Sequence, residues 1–121
     1  MSDLTDITLW TFTKECPVPD DVNEILVAGE TTVCAYKTIR DVAIFTNKRI
    51  IVKDSQGITG KKVEIYTLPY SSIVMYSTEN AGSLDLNSEV ELWTKAGKIK
   101  IRLSIKADVR KLDRIFAEAI L

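Results

Sequence analysis

Few residues of this chain are equipped for chemistry, and one absence narrows them further. None of the 121 residues is a histidine. That removes Ser-His-Asp and Cys-His nucleophile arrangements, His-ligated zinc and the commonest general base near neutral pH. The two cysteines, Cys16 and Cys34, have neither a CxxC spacing nor further sulfur partners with which to build a structural zinc site. They read as free thiols of a reducing compartment, with Cys34, inside a strand pattern, acting as a small core hydrophobe. The carboxylates Glu30, Asp41, Asp54, Glu79 and Asp85 match no cation-binding loop, and the EF-hand pattern is absent. They read as turn caps or as partners of neighbouring cations such as Arg40. The expectation is a protein with no catalytic residues, no metal and no cofactor.

The segment Gly57-Ile58-Thr59-Gly60-Lys61-Lys62 has some features of a phosphate-binding loop. A Walker A loop, however, has four residues between its glycines, a Ser or Thr after the Lys, and a helix next, and none of these holds here. A strand-to-strand turn with glycine at positive φ and solvated lysines after it is the better reading. Lys48, Arg49, Lys61 and Lys62 form a possible basic edge and are candidate contacts for a ligand or partner. Asp41 beside Arg40, and a net charge of -1, weaken the field that an anionic headgroup would meet. The same balance argues against nucleic acid, which needs a surplus of cations to displace counterions from phosphates.

The elements that must position these residues are mostly strands. Strand-like runs cover 32–38, 41–46, 49–54, 62–68, 73–79, 86–94 and 98–105, which predicts a meander of seven antiparallel strands. An amphipathic helix over 107–121 follows, with Val109, Leu112, Phe116 and Ala119 at helical spacing. Before the strands, Asp21 and Glu24 form a capping-box pattern for a short helix that presents Val22, Ile25 and Leu26 and ends at Gly29. The opening segment, with Ile7, Leu9, Trp10 and Phe12 among Thr residues before Cys16-Pro17-Val18-Pro19, is compatible with either an extended or a helical conformation. No apolar run approaches the ~20 residues of a membrane span. The acidic start, Met1-Ser2-Asp3-Leu4-Thr5-Asp6, lacks an apolar signal region, so a cytoplasmic protein is expected.

Parity predicts two hairpins. Around Asn47-Lys48, a tight turn that Asn at positive φ would favour, Val42, Ile44 and Ile51 share one face while Ala43, Phe45, Ile50 and Val52 share the other. Both faces are apolar, so something must cover the second: the N-terminal segment carrying Trp10, Phe12, Ile25 and Leu26, or another subunit. Trp10, Phe12, Phe45, Ile50 and Val52 are the candidate subunit contacts. In the last hairpin, a turn at Ala96-Gly97 with Thr94 facing Ile99 and Leu92 facing Ile101 places Glu91 opposite Arg102 and Trp93 opposite Lys100.

The ordered fragments Gly29-Glu30, Arg40-Asp41, Phe45-Thr46-Asn47-Lys48-Arg49, 54–62, Pro69-Tyr70-Ser71-Ser72-Ile73, 79–85 and Glu91-Leu92-Trp93-Thr94 resemble the bacterial pleckstrin-homology (PH) domains. That resemblance implies a mainly β, PH-like seven-stranded barrel plugged by the C-terminal helix. On this reading one domain spans 1–121, with an N-terminal segment at 1–28, a barrel at 29–105 and a capping helix at 106–121. It also implies a ring-shaped homo-oligomer, pentamer-like or hexamer-like, and a non-enzymatic interaction role; the leading expectation is that such a ring presents one polar surface to a protein partner. The competing expectation is an anionic lipid headgroup or small anionic ligand on a basic barrel edge, a peripheral contact without membrane insertion; PH domains that bind phosphoinositides use basic residues around the first strand pair, and the resemblance places Lys37 and Arg40 there as further candidate contacts.

Overall fold

In this computed structural model, which describes residues 7–56, 61–82, 87–104 and 107–121, the β-branched and aromatic runs all form strands. After β1 (Ile7–Cys16) come β2 (Thr32–Thr38), β3 (Val42–Thr46), β4 (Arg49–Gln56), β5 (Lys62–Pro69), β6 (Ile73–Glu79), β7 (Ser88–Thr94) and β8 (Gly97–Leu103). They form one sheet in the order β5-β4-β3-β2-β1-β8-β7-β6. Helix α1 (Val109–Ile120) follows, its first turn capped by the Asp108 carboxylate, which accepts from the Arg110 N–H at 3.0 Å.

Two features differ from the expected seven-stranded antiparallel barrel. The additional strand is β1, which pairs antiparallel with β2 and parallel with β8, so that Thr11 faces Arg102 and Phe12 faces Leu103. Its Thr, Trp and Phe residues are good strand formers. The hydrogen-bonded sheet is also not closed: Pro69 ends β5, a 3₁₀ turn at Tyr70–Ser72 leads into β6, and β5 and β6 remain the two edges.

The inner core lies between the curved sheet and α1. Phe12, Tyr36, Phe45, Ile50, Val90, Leu92, Ile101 and Leu103 meet Leu112 and Phe116 from the helix, all fully buried. Phe116 packs edge-on against Phe45 and Tyr70, at centroid separations of 6.1 and 5.9 Å. Ala119, predicted on this stripe, is instead exposed.

A second cluster lies on the opposite face of the central hairpin. Val22, Ala35, Val42, Ile44 and Ile51 are buried there under Cys16, Val18, Ile25 and Leu26. The partition of β3 and β4 is the one parity predicts, with Ile44 opposite Ile51 and Phe45 opposite Ile50. The cover is intrachain, and no second subunit is needed for it. It is not the expected helix, however: residues Asp20–Glu24 form a single 3₁₀ turn after Pro19, with no side-chain cap. Asp21 is drawn instead to Lys53, whose Nζ lies 2.9 Å from its carboxylate.

Both predicted turns differ in detail. No described residue other than glycine has positive φ, so Asn47 does not use the left-handed region. Its side chain accepts from the Thr31 N–H at 2.8 Å and donates to the Gly29 carbonyl at 3.1 Å, stitching the turn to the preceding segment. In the last hairpin the register is shifted by two: Leu92 faces Ile99, Glu91 faces Lys100 and Trp93 faces Lys98. Gly97, at φ 134°, allows the chain to reverse over Lys95-Ala96. Parity survives a shift of two, so the buried face is the predicted one, but the cation over Trp93 is Lys98, at 4.8 Å, rather than Lys100.

Candidate functional site

The strongest polar constellation is structural. Glu30, reached through the turn at Gly29, is buried at the foot of β3 and β4. Its carboxylate accepts from Arg49 Nε at 2.8 Å, from the Thr46 hydroxyl at 2.7 Å and from the Val27 N–H at 3.1 Å. Arg49 also donates to the Ile25 carbonyl at 2.6 Å. These bonds latch residues 25–30 onto the hairpin. The Arg49 hydrogen bond, reinforced by Thr46, holds the Glu30 carboxyl at about 2, well below the usual range. Glu30 is thus a fixed anion with filled bonding capacity and no reach to solvent, unsuited to acid/base work.

Two of the other carboxylates are engaged within the chain. Asp54 meets Arg40 at 3.4 Å, and Asp41 accepts from the Ser55 hydroxyl at 2.7 Å. Glu79 faces Glu89 across β6 and β7, whereas Asp85 lies outside the described residues. Cys16 joins the outer cluster and Cys34 the inner one, so the two free thiols occupy opposite faces of the sheet. Burial pushes the Cys34 thiol up to about 11, which makes it a poor nucleophile. Among the described residues, no three of the potential metal-ligating carboxylates and thiols come together.

The six candidate cations do not converge. Arg49 is consumed by Glu30, and Lys48 sits with it at the β3–β4 turn. Arg40 belongs to the turn at the other end of β3 and is bridged to Asp54. Lys37 is exposed on β2, and Lys61 and Lys62 are exposed at the start of β5. The glycine turn at 57–60, including Gly57 and Gly60, lies outside the described residues.

Of the candidate subunit contacts, Phe12, Phe45 and Ile50 are fully buried within the chain, Val52 is 6% exposed, and Trp10 packs partly buried against the core. Phe12, Phe45 and Ile50 therefore have no surface left to offer a second copy, whereas Trp10 keeps part of its surface. The uncovered apolar residues are elsewhere. On edge strand β5, Val63, Ile65 and Tyr66 are each more than 40% exposed, and on edge strand β6, Val74 and Met75 are more than half exposed.

The concave side of the sheet holds a cavity of ≈ 640 Å³ between β1, the β2–β3 turn, β4, β5 and the β7–β8 turn. Trp10, Val52, Leu68 and Ile99 supply apolar wall, and Arg40 and Asp54 are among its lining residues.

This architecture matches known proteins. The bacterial PH domain family model matches residues 3–120. The chain belongs to the bacterial PH domain family. A relative, the uncharacterized protein YjqA of Bacillus subtilis, is 44% identical over 82 residues, covering 68% of this chain and 66% of that protein. The uncharacterized protein YozO of the same organism is 30% identical over 78% of this chain and 82% of its own length. Among solved structures, a DUF1696 family protein with a PH domain from Shewanella loihica superposes with a TM-score of 0.76 at 34% identity, covering 89% of this chain and 97% of that one. A PH domain from Shewanella amazonensis gives 0.65 at 36% identity, over 84% and 83% of the two chains.

In this bacterial PH domain, sequence reasoning missed the edge residues and the cavity wall. The run Lys62-Val63-Glu64-Ile65-Tyr66 alternates like any half-buried strand, and local pattern carries no mark of edge position. Trp10 was visible as an aromatic, but its place in the wall depends on β1 inserting beside β8. No described helix is long and apolar enough to cross a membrane.

Proposed function

We propose that this bacterial PH domain is a non-catalytic interaction module that assembles into a cyclic homo-oligomer through the two open edges of its sheet. The observation that carries this reading is that one sheet ends on both sides in a strand with unpaired backbone and exposed apolar side chains: Val63 and Ile65 on β5, Val74 and Met75 on β6. Edge strands of this kind are templates for pairing, and natural proteins usually blunt them with charge, bulges or a covering element. The β5 edge of one copy and the β6 edge of the next form a heterologous joint, which must either close into a ring or grow without limit. A ring then presents several identical surfaces to a protein partner, and multivalency supplies avidity beyond that of one surface.

Size-exclusion chromatography with light scattering tests this. The expected mass is several times the 13.6 kDa of one chain. A monomer at micromolar concentration would remove both the ring and the avidity mechanism. The competing anionic-headgroup reading has less support, because its cations are dispersed and two of them are bound to carboxylates.

A further inference from the structure

The cavity on the concave side is unexplained by edge pairing, and its chemistry selects a ligand class of its own. Its ≈ 640 Å³ falls inside the range of about 300 to 1,000 Å³ typical of small-molecule sites. Trp10 and Ile99 form one wall, Val52 and Leu68 the other, and all four belong to or pack against the inner core. The floor is therefore apolar, a surface that gains free energy when an alkyl or aromatic body displaces water from it.

The ionic residues around the cavity are matched within the chain. Arg40 meets Asp54 at 3.4 Å, Lys53 meets Asp21 at 2.9 Å, and Lys98 meets Glu91 at 2.8 Å. Each lining cation already has a carboxylate beside it, so the cavity presents no net positive field to favour a carboxylate or phosphate over a neutral ligand. Thr8 and Thr38, also lining the cavity, carry hydroxyls able to meet a neutral polar group.

We propose that this cavity binds a neutral amphiphile, with its apolar body against Trp10, Val52, Leu68 and Ile99 and an uncharged hydroxyl or carbonyl head at the mouth.

The two tryptophans provide the test. Trp10 lines the cavity, whereas Trp93 lies under Lys98 and does not line it, so Trp93→Phe leaves a single reporter in the wall. Titrating this variant with 1-decanol should give a saturable blue shift of Trp10 emission, with decanoate at neutral pH at least tenfold weaker. Adding Thr8→Phe, at an exposed lining position, should weaken decanol at least tenfold without altering thermal unfolding. Equilibrium dialysis of the unmodified protein against decanol and decanoate gives the same comparison if Trp93→Phe does not fold. No saturable decanol binding by either measurement overturns the proposal. Decanoate binding as tightly as decanol also overturns it, by showing that a cation selects the ligand.

Discussion

The β3–β4 hairpin and strand β5 carry similar sequences and meet opposite fates. Both have apolar residues on two faces: Val42, Ile44 and Ile51 against Phe45, Ile50 and Val52 in the hairpin, and Val63 and Ile65 against Tyr66 and Leu68 in β5. The hairpin is covered on both sides, by the inner core and by residues 16–26, and its edges are paired. In β5 only Leu68 is buried, and one edge is open. The difference is one of supply. Residues 16–26 form a lid that reaches the hairpin and is latched there by Glu30 and Arg49, whereas no described segment covers β5 along its length. Apolar composition on two faces thus calls for a cover without saying whether the chain itself provides it.

Truncation should separate the two regions most strongly. Ile44→Ala removes a fully buried side chain beneath the lid and should cost about 3 kcal/mol in chemical denaturation, while Ile65→Ala in an isolated subunit should cost under ~1 kcal/mol. Equal losses would mean that β5 is already covered within the chain.

The latch comes next. Glu30→Ala leaves the Arg49 guanidinium, 18% exposed, beside the Ile25 carbonyl without its anion, and should destabilise by roughly 3 kcal/mol. Because the folded-state carboxyl titrates at about 2, below its unfolded value near 4.5, the contribution is fully present above pH 4.5 and is lost as pH falls toward 2. Stability of the parent protein should decline across that window, and that of the variant by less. Parallel pH profiles would place the acid sensitivity elsewhere.

A smaller contrast involves two buried tyrosines. The Tyr70 hydroxyl donates to the Thr46 carbonyl at 2.7 Å, tying the end of the hairpin to the corner between β5 and β6, whereas the Tyr36 hydroxyl meets no nitrogen or oxygen partner and has only the weak sulfur of Cys34 beside it. Tyr70→Phe should cost about 1 kcal/mol and Tyr36→Phe close to nothing, read from denaturant midpoints. A cost at Tyr36 matching that at Tyr70 would show a stronger bond than the Cys34 sulfur supplies.

Periodicity was a sound guide wherever a face is decided within a few residues. The strands from Thr32 to Leu103, the two faces of the central hairpin and the Val109, Leu112, Phe116 stripe all follow from it. It was silent where partners are distant. Residues 7–16 become a strand because β2 and β8 are both available to them, and the lid forms a 3₁₀ turn because Lys53 draws Asp21 away from a capping role. The register of the last hairpin escaped parity because a shift of two leaves every side chain on its predicted face. The cavity is a property of the curvature of the assembled sheet, which no local window contains.

The edge joint can be tested by blocking one side at a time. Ile65→Lys places a charge on β5 and leaves β6 intact, and Val74→Lys does the reverse. Each variant alone should run as a folded monomer that still unfolds cooperatively, because both positions are exposed in the isolated chain. Light scattering on an equimolar mixture is the decisive measurement. A heterologous β5-to-β6 joint predicts a one-to-one dimer, since the intact β5 of one variant still meets the intact β6 of the other. A mixture that stays monomeric, or single variants that keep the mass of the parent protein, would contradict it.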